Sequence, residues 1–275
     1  MISLEGAIDL HIHTAPDVRP RRMDAIDAAR EAAAAGMCAI VLKAHYGMTA
    51  GLAALVERVV PGIRVFGGVV LNEAVGGLNP VAVETALQLG ARVIWMPTLS
   101  AAQHLRFLGH AGDGLRILDE ARRIKPEVEE ILRLVAQHDR ILATGHLSVE
   151  EIVRLIPAAQ AAGVRRLVIT HPEHPVVGMP IRLQQELARR GAFFERCFAS
   201  TLLPEHSVPM AAIISAIRQV GPETTVLATD LGQPENPSPV EGLRAYLQAL
   251  HGAGFRAGEI DRMVRWNSAW LLDLT

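Results

Sequence analysis

The chain has 275 residues, half of them apolar, 20% charged and only 4% aromatic, with 27 Lys plus Arg against 29 Asp plus Glu. So apolar a composition excludes wholesale disorder, and a formal charge of −2 offers no basic surplus for nucleic acid. Two cysteines, Cys38 and Cys197, are too few for a disulfide scaffold and suit a reducing compartment.

The opening stretch MISLEGAIDLHIHTAPD has no basic segment leading into an apolar one, so no secretory signal is expected and the expected location is cytoplasmic. No run approaches the roughly 18 apolar residues of a membrane span, so no membrane partner is expected. Eight short apolar runs rich in β-branched residues then recur, at 7–13, 38–45, 64–73, 92–98, 140–146, 166–172, 192–198 and 225–230. They are continuous rather than alternating, which suits parallel strands covered on both faces.

Helical patterns fall between them. Residues 23–36 end in Gly36, and 79–90 open with Asn79 as cap and Pro80 in the first turn. Residues 148–163 open on a Ser148/Glu151 capping box, with Pro157 expected to end or kink the helix. Residues 125–139, 180–191 and 238–254 complete the set. Strand–helix alternation on this scale predicts an α/β fold, a (β/α)8 TIM barrel in regular or distorted form, as one domain over 1–275. The long segment 99–125 reads as a partly helical loop, either covering a site or running over the surface.

Polar residues cluster at one end of the runs. His11 and His13 close the first, Lys43 and His45 the second, and Asn72 and Glu73 the third. His146, His171 and Asp230 close the fifth, sixth and eighth. In a parallel barrel these ends meet at one mouth. The i, i+2 spacing of His11 and His13 puts both imidazoles on one face of a strand, an arrangement suited to one divalent cation.

DLHIHT followed by later His, His and Asp residues at strand ends resembles the amidohydrolase superfamily of metal-dependent hydrolases. The tail EIDRMVRWNSAWLLDL is similar to that family's last helix, and the chain also resembles a bacterial family of unknown function within the group. The resemblance implies a (β/α)8 barrel and a metal site of His11, His13, His146 and Asp230. His171 would stand beside the ion as a base or carbonyl-polarising group. The fourth run ends WMPT, without the bridging Lys or Glu of binuclear members. A second resemblance, to the PHP phosphoesterases, adds His45 and Glu73 as ligands of a second metal. PHP proteins end in Asp-x-His, where this chain has Asp230-Leu231-Gly232. The metal expected is zinc, as one or two ions, with Mn, Fe or Ni as alternatives.

The expected activity is hydrolysis of a small anionic cyclic amide, lactone or ester, with His171 and Asp230 catalytic. The alternatives are a phosphoesterase, a mononuclear decarboxylase and a non-catalytic binding barrel. Lys43, Arg19, Arg22 and Arg196 are candidate substrate-binding residues, Arg21 lying in the same loop as Arg19 and Arg22. Lys43 is also readable as a carbamylated metal bridge. A small molecule and a second copy of the chain are the expected partners. His104, His110, His174 and His206 read as ordinary loop residues, Cys38 as core, Cys197 as no nucleophile, and Trp266 with Trp270 as packing.

Overall fold

A computed structural model describes residues 3–110 and 113–274. Nine strands form within them: β1 (Ile8–Ile12), β2 (Ala39–Leu42), β3 (Arg64–Phe66), β4 (Gly68–Val70), β5 (Val93–Trp95), β6 (Ile141–Ala143), β7 (Arg166–Thr170), β8 (Phe193–Cys197) and β9 (Thr225–Ala228). All pair in parallel, in the orders β1-β2-β3 and β4-β5-β6-β7-β8-β9. The helices are α1 (Ala25–Ala34), α2 (Ala50–Val59), α3 (Pro80–Gln88), α4 (Ala102–Phe107), α5 (Pro126–Gln137), α6 (Val149–Ala161), α7 (Ile181–Arg189), α8 (Met210–Val220), α9 (Pro239–Gly252), α10 (Ala257–Asp261) and α11 (Asn267–Leu272).

β3 and β4 are two halves of one barrel strand, broken at Gly67. A Cβ on Gly67 would lie 2.5 Å from the Thr49 backbone, so only glycine lets that segment approach. Thr49 spans the break: its Oγ1 donates to the Leu42 carbonyl at 2.7 Å and accepts from the Gly68 N–H at 2.9 Å. On the other side the ring closes through Asp230 N–H to the His11 carbonyl and His13 N–H to the Leu231 carbonyl, both 2.7 Å. Eight barrel strands alternating with helices form the TIM barrel that the sequence predicts.

Inside the ring, Ile8, Leu10, Val41, Phe66, Trp95, Val168 and Val226 fill the lower barrel, and Leu271 and Leu272 of α11 plug its base. Two further apolar layers lie between the strands and the helices. β1 changes its inward parity on the way up. Ile8 and Leu10 belong to the inner cluster, Ile12 to the outer layer, and the pairing with β2 is irregular between Asp9 and Ile12. Such a bulge re-aims the side chains that follow it. Asp9 braces it, accepting from His11 N–H at 3.1 Å, Thr229 N–H at 3.0 Å and Thr229 Oγ1 at 2.6 Å.

Several local expectations change. Pro157 neither ends nor breaks α6. It lies on the exposed face, one turn after the exposed Val153, so the carbonyl that loses its partner can turn to water. α2 and α8 had no predicted counterpart, because neither starts with a side-chain cap or an acidic first turn. Cys38 is exposed rather than core, since it precedes β2 at the barrel's lower rim. Trp270 stacks on Phe193, but Trp266 is 61% exposed and packs less than expected. No helix among the described residues is long and apolar enough to cross a membrane.

Candidate metal centre

The end of β1 delivers His11 and His13 to the mouth, and the turn after β9 delivers Asp230. Asp230 Oδ1 lies 2.9 Å from His11 Nε2 and 3.0 Å from His13 Nε2, and the two imidazole nitrogens are 3.3 Å apart. His171 Nε2 stands 3.5 Å from Asp230 Oδ2. His171 and Asp230 both hold left-handed backbones, φ 51° and 55°, which non-glycine residues rarely adopt. Gly232 completes the turn with φ 138°, and a Cβ there would meet the His13 carbonyl at 1.9 Å.

Glu195 Oε2 lies 3.3 Å from His11 Nδ1 and takes that nitrogen's proton, while the Lys43 ammonium donates to His11 Nε2 at 3.0 Å. His11 Nε2 is then an acceptor, as is the Asp230 carboxylate beside it. Two acceptors at 2.9 Å need positive charge between them. Either a second proton on His11 or a divalent cation supplies it. Burial opposes the imidazolium, but Asp230 and Glu195 outweigh burial and hold the His11 pKa above its ordinary value. With the second proton on His11, burial would still raise Asp230, yet the His11 charge and the hydrogen bonds from His11 and His13 hold it well below the carboxylate range. Burial pushes His13 down to about 4, leaving it neutral.

The donor set fits a metal. Ligands of a tetrahedral ion at about 2.1 Å lie roughly 3.4 Å apart, close to the spacing of His11, His13 and Asp230. Single ligand atoms of His11, His171, Cys197 and Asp230 also lie within 4.8 Å of one another. Glu195 fixes the His11 tautomer from outside, as carboxylates behind metal-bound histidines do.

Above the cluster opens a cavity of about 540 Å³, lined in part by His13, Lys43, His45, His146, His171 and Asp230. Arg19 also lines it. Its Nε donates to the Tyr46 hydroxyl at 3.2 Å, and its guanidinium lies over the Tyr46 ring. Arg21 lines it too, tied to Asp17 at 2.6 Å and approaching His13 Nδ1 at 3.3 Å. Lys43 is only 2% exposed, and burial lowers its pKa. His45 stacks on His13 and lies 2.9 Å from Thr98 Oγ1. His146 lines the cavity but stands outside the tight group, its ring centroid 5.5 Å from that of His171.

Three predicted residues fall elsewhere. Glu73 is exposed, because Asn72 takes the inward position and holds Thr98, Ser100 and the His45 carbonyl. Arg196 points outward from β8 into an ion pair with Glu173 and a 3.1 Å bond to Gln184, because Glu195 and Cys197 hold the inward parity. Arg22 bonds the Asn236 carbonyl at 2.8 Å and ties down the loop after β9 instead of facing the cavity. Conversely, His104 and His174, read as loop residues, line the cavity, and Cys197 lies 3.8 Å from His11 Nδ1. Burial pushes the Cys197 thiol well up, so it is no activated nucleophile.

A family model matches residues 6–195, over half of the chain. The chain belongs to DUF6282, a family of unknown function. A comparison with curated proteins finds no match. Among solved structures, this DUF6282 member is similar to a lactonase from Listeria monocytogenes, at 14% identity and TM-score 0.66 over 99% of this chain and 96% of the other. It is similar to a proposed 2-pyrone-4,6-dicarboxylic acid hydrolase from Pseudomonas putida, at 17% identity and TM-score 0.65 over 99% of both chains. A 2,6-dihydroxybenzoate decarboxylase from Rhizobium aligns at 13% identity and TM-score 0.55 over 98% of this chain and 99% of the other. At these identities the likeness establishes the shared barrel fold.

Proposed function

We propose that this DUF6282 protein is a metal-dependent hydrolase of the amidohydrolase type, acting on a small anionic substrate at a lactone, ester or cyclic amide carbonyl. The observation that carries the reading is the convergence of His11 Nε2, His13 Nε2 and Asp230 Oδ1 within 3.3 Å at the floor of the cavity. These three atoms would hold one divalent ion, with zinc the best fit, and His171 and Cys197 at its edge. Bound there, the ion would supply Lewis acidity and lower the pKa of water toward neutrality.

The chain's own groups do the rest. Asp230 Oδ2, on the His171 side, is placed to accept the proton of the attacking water. His171, 3.5 Å from Asp230 Oδ2, would polarise the scissile carbonyl. Lys43 in the floor and Arg19 at the rim attract an anionic substrate and fix its orientation. The phosphoesterase reading loses one of its supports with Glu73 outside the cavity, while His45, Arg19 and Arg21 still line it. The neighbours' names, a lactonase and a pyrone dicarboxylate hydrolase, favour a lactone among the candidate carbonyls.

Elemental analysis of purified wild type and His13→Ala tests the reading. About one equivalent of transition metal is expected in wild type and none in the variant, with lactone or ester turnover following the metal. A wild type that stays metal-free after incubation with Zn and Mn overturns it.

A further inference from the structure

The segment 99–125 carries a histidine that reaches the cavity from outside the strand ends. Ala102 N–H bonds the Leu115 carbonyl at 2.9 Å, and Gln103 Nε2 bonds the Val176 carbonyl at 2.9 Å, pinning α4 against the loop after β7. Phe107 on the same helix packs against the His174 and His206 rings. So held, α4 places His104 Nδ1 at 2.9 Å from His146 Nδ1, the two rings stacked at 27°.

One proton at most lies between two imidazole Nδ1 atoms, so this contact sets the tautomers of both rings. With one proton at most shared there, the His146 tautomer decides what the ring offers the cavity. His146 Nε2 has no protein partner among the described residues and is not a sealed, unsatisfied atom, so it opens on the cavity. Lys43 and Asp230 both line that cavity, and Lys43 acts on the ring more strongly than Asp230, so a lone pair is favoured there over an N–H.

We propose that His104 is a positioning residue that accepts the His146 Nδ1–H, locks the His146 ring against α4, and leaves His146 Nε2 as a lone pair facing the reaction space. What that lone pair does, whether it takes a proton or completes the ligand set, rests on the hydrolase reading above. The tautomer itself does not. An acceptor behind a site histidine has the same effect as the carboxylates and carbonyls that orient metal-bound imidazoles.

The test is nitrogen-15 NMR of histidine-labelled full-length protein, with His146→Gln to assign the resonances, in wild type, His104→Ala and His104→Asn. Wild type is expected to carry the His146 proton on Nδ1. His104→Ala shifts it toward Nε2, and His104→Asn, whose Oδ1 replaces the acceptor, restores it. In the same samples kcat falls about 10–100-fold in His104→Ala with KM within about twofold, and mostly recovers in His104→Asn. Metal content and melting temperature stay at wild-type values. A wild-type His146 protonated on Nε2, or a His104→Ala spectrum identical to wild type, overturns the proposal. Absent metal and absent turnover overturn the hydrolase reading instead, and the NMR result still decides this one.

Discussion

The base and the mouth of the barrel treat buried charge in opposite ways. At the base, Arg166 enters from the start of β7 and meets Asp139 at 2.9 Å, Asp273 at 3.1 Å, the Trp270 carbonyl and the Trp270 ring. Its cationic end is matched by two carboxylates, a carbonyl and a ring face. At the mouth, Lys43 is equally buried, yet among the described residues its hydrogen-bond partner is a histidine nitrogen and no carboxylate reaches ion-pair distance. Several imidazoles there share the carboxylates of Asp230 and Glu195. A charge matched within the fold holds the fold; a charge left unmatched in a cavity awaits a ligand.

The strongest way to break this contrast is to remove a group from the mouth and find that it was structural. His13→Ala and Asp230→Asn are expected to lose bound metal and to lower turnover by on the order of a thousandfold or more. Their melting temperatures should match that of chelated wild type, because all three lack the ion but keep the barrel core. Chelation of wild type should reproduce the loss of activity, and added zinc should reverse it only there. Retained turnover in both variants would move the chemistry away from this cluster.

Arg196 sharpens the contrast from the other side. It was expected at the substrate and is found paired with Glu173, itself nearly buried. Arg196→Met leaves that carboxylate without its partner, a change that costs about 3–5 kcal/mol for buried pairs. Urea denaturation should show a loss of that order with KM unchanged. A raised KM at wild-type stability would return Arg196 to the cavity.

The barrel was legible because its signals are periodic and punctuated: apolar runs end in polar residues, and capped helices follow. The His11/His13 spacing, His171 and Asp230 were legible for the same reason, standing alone in apolar surroundings at run ends. Parity was not. FFERC reads equally well with Glu195 and Cys197 inward or with Phe194 and Arg196 inward, and only the register of β8 against its neighbours decides. The same ambiguity misplaced Glu73 for Asn72. The bulge in β1 has no mark in the letters, yet it is what turns His11 and His13 into the cavity after two inward apolar residues. His104 was hidden because a loop helix held by backbone carbonyls leaves no pattern in sequence.

Lys43 gives a subtler probe, since it is a buried cation whose hydrogen-bond partner among the described residues is a histidine nitrogen. Lys43→Met is expected to raise stability by about 1 kcal/mol, because an unmatched buried charge is replaced by an apolar side chain of similar length. Turnover of an anionic substrate should fall by about ten- to a hundredfold. Denaturation and steady-state kinetics on one preparation measure both. A variant that is less stable and equally active would mean that Lys43 serves the fold, as Arg166 does.

The smallest effect belongs to the base. Hydrogen bonding from Arg166, helped by Arg165, holds the Asp139 pKa below its ordinary value of 3.8 against the opposing effect of burial. A carboxyl lowered in the folded state adds stability that is fully present above the unfolded value and is lost as pH falls through the folded one. Wild type should therefore lose part of its stability below pH 3.8, as Asp139 takes up a proton. Asp139→Asn should start less stable at neutral pH and show a shallower decline in that acid window, with kcat unchanged. Because Asp139 is largely solvated, the difference should be modest and should shrink in high salt, as partly exposed ion pairs do. An acid limb identical in both proteins would mean that Arg166 is held by Asp273 and the Trp270 carbonyl alone.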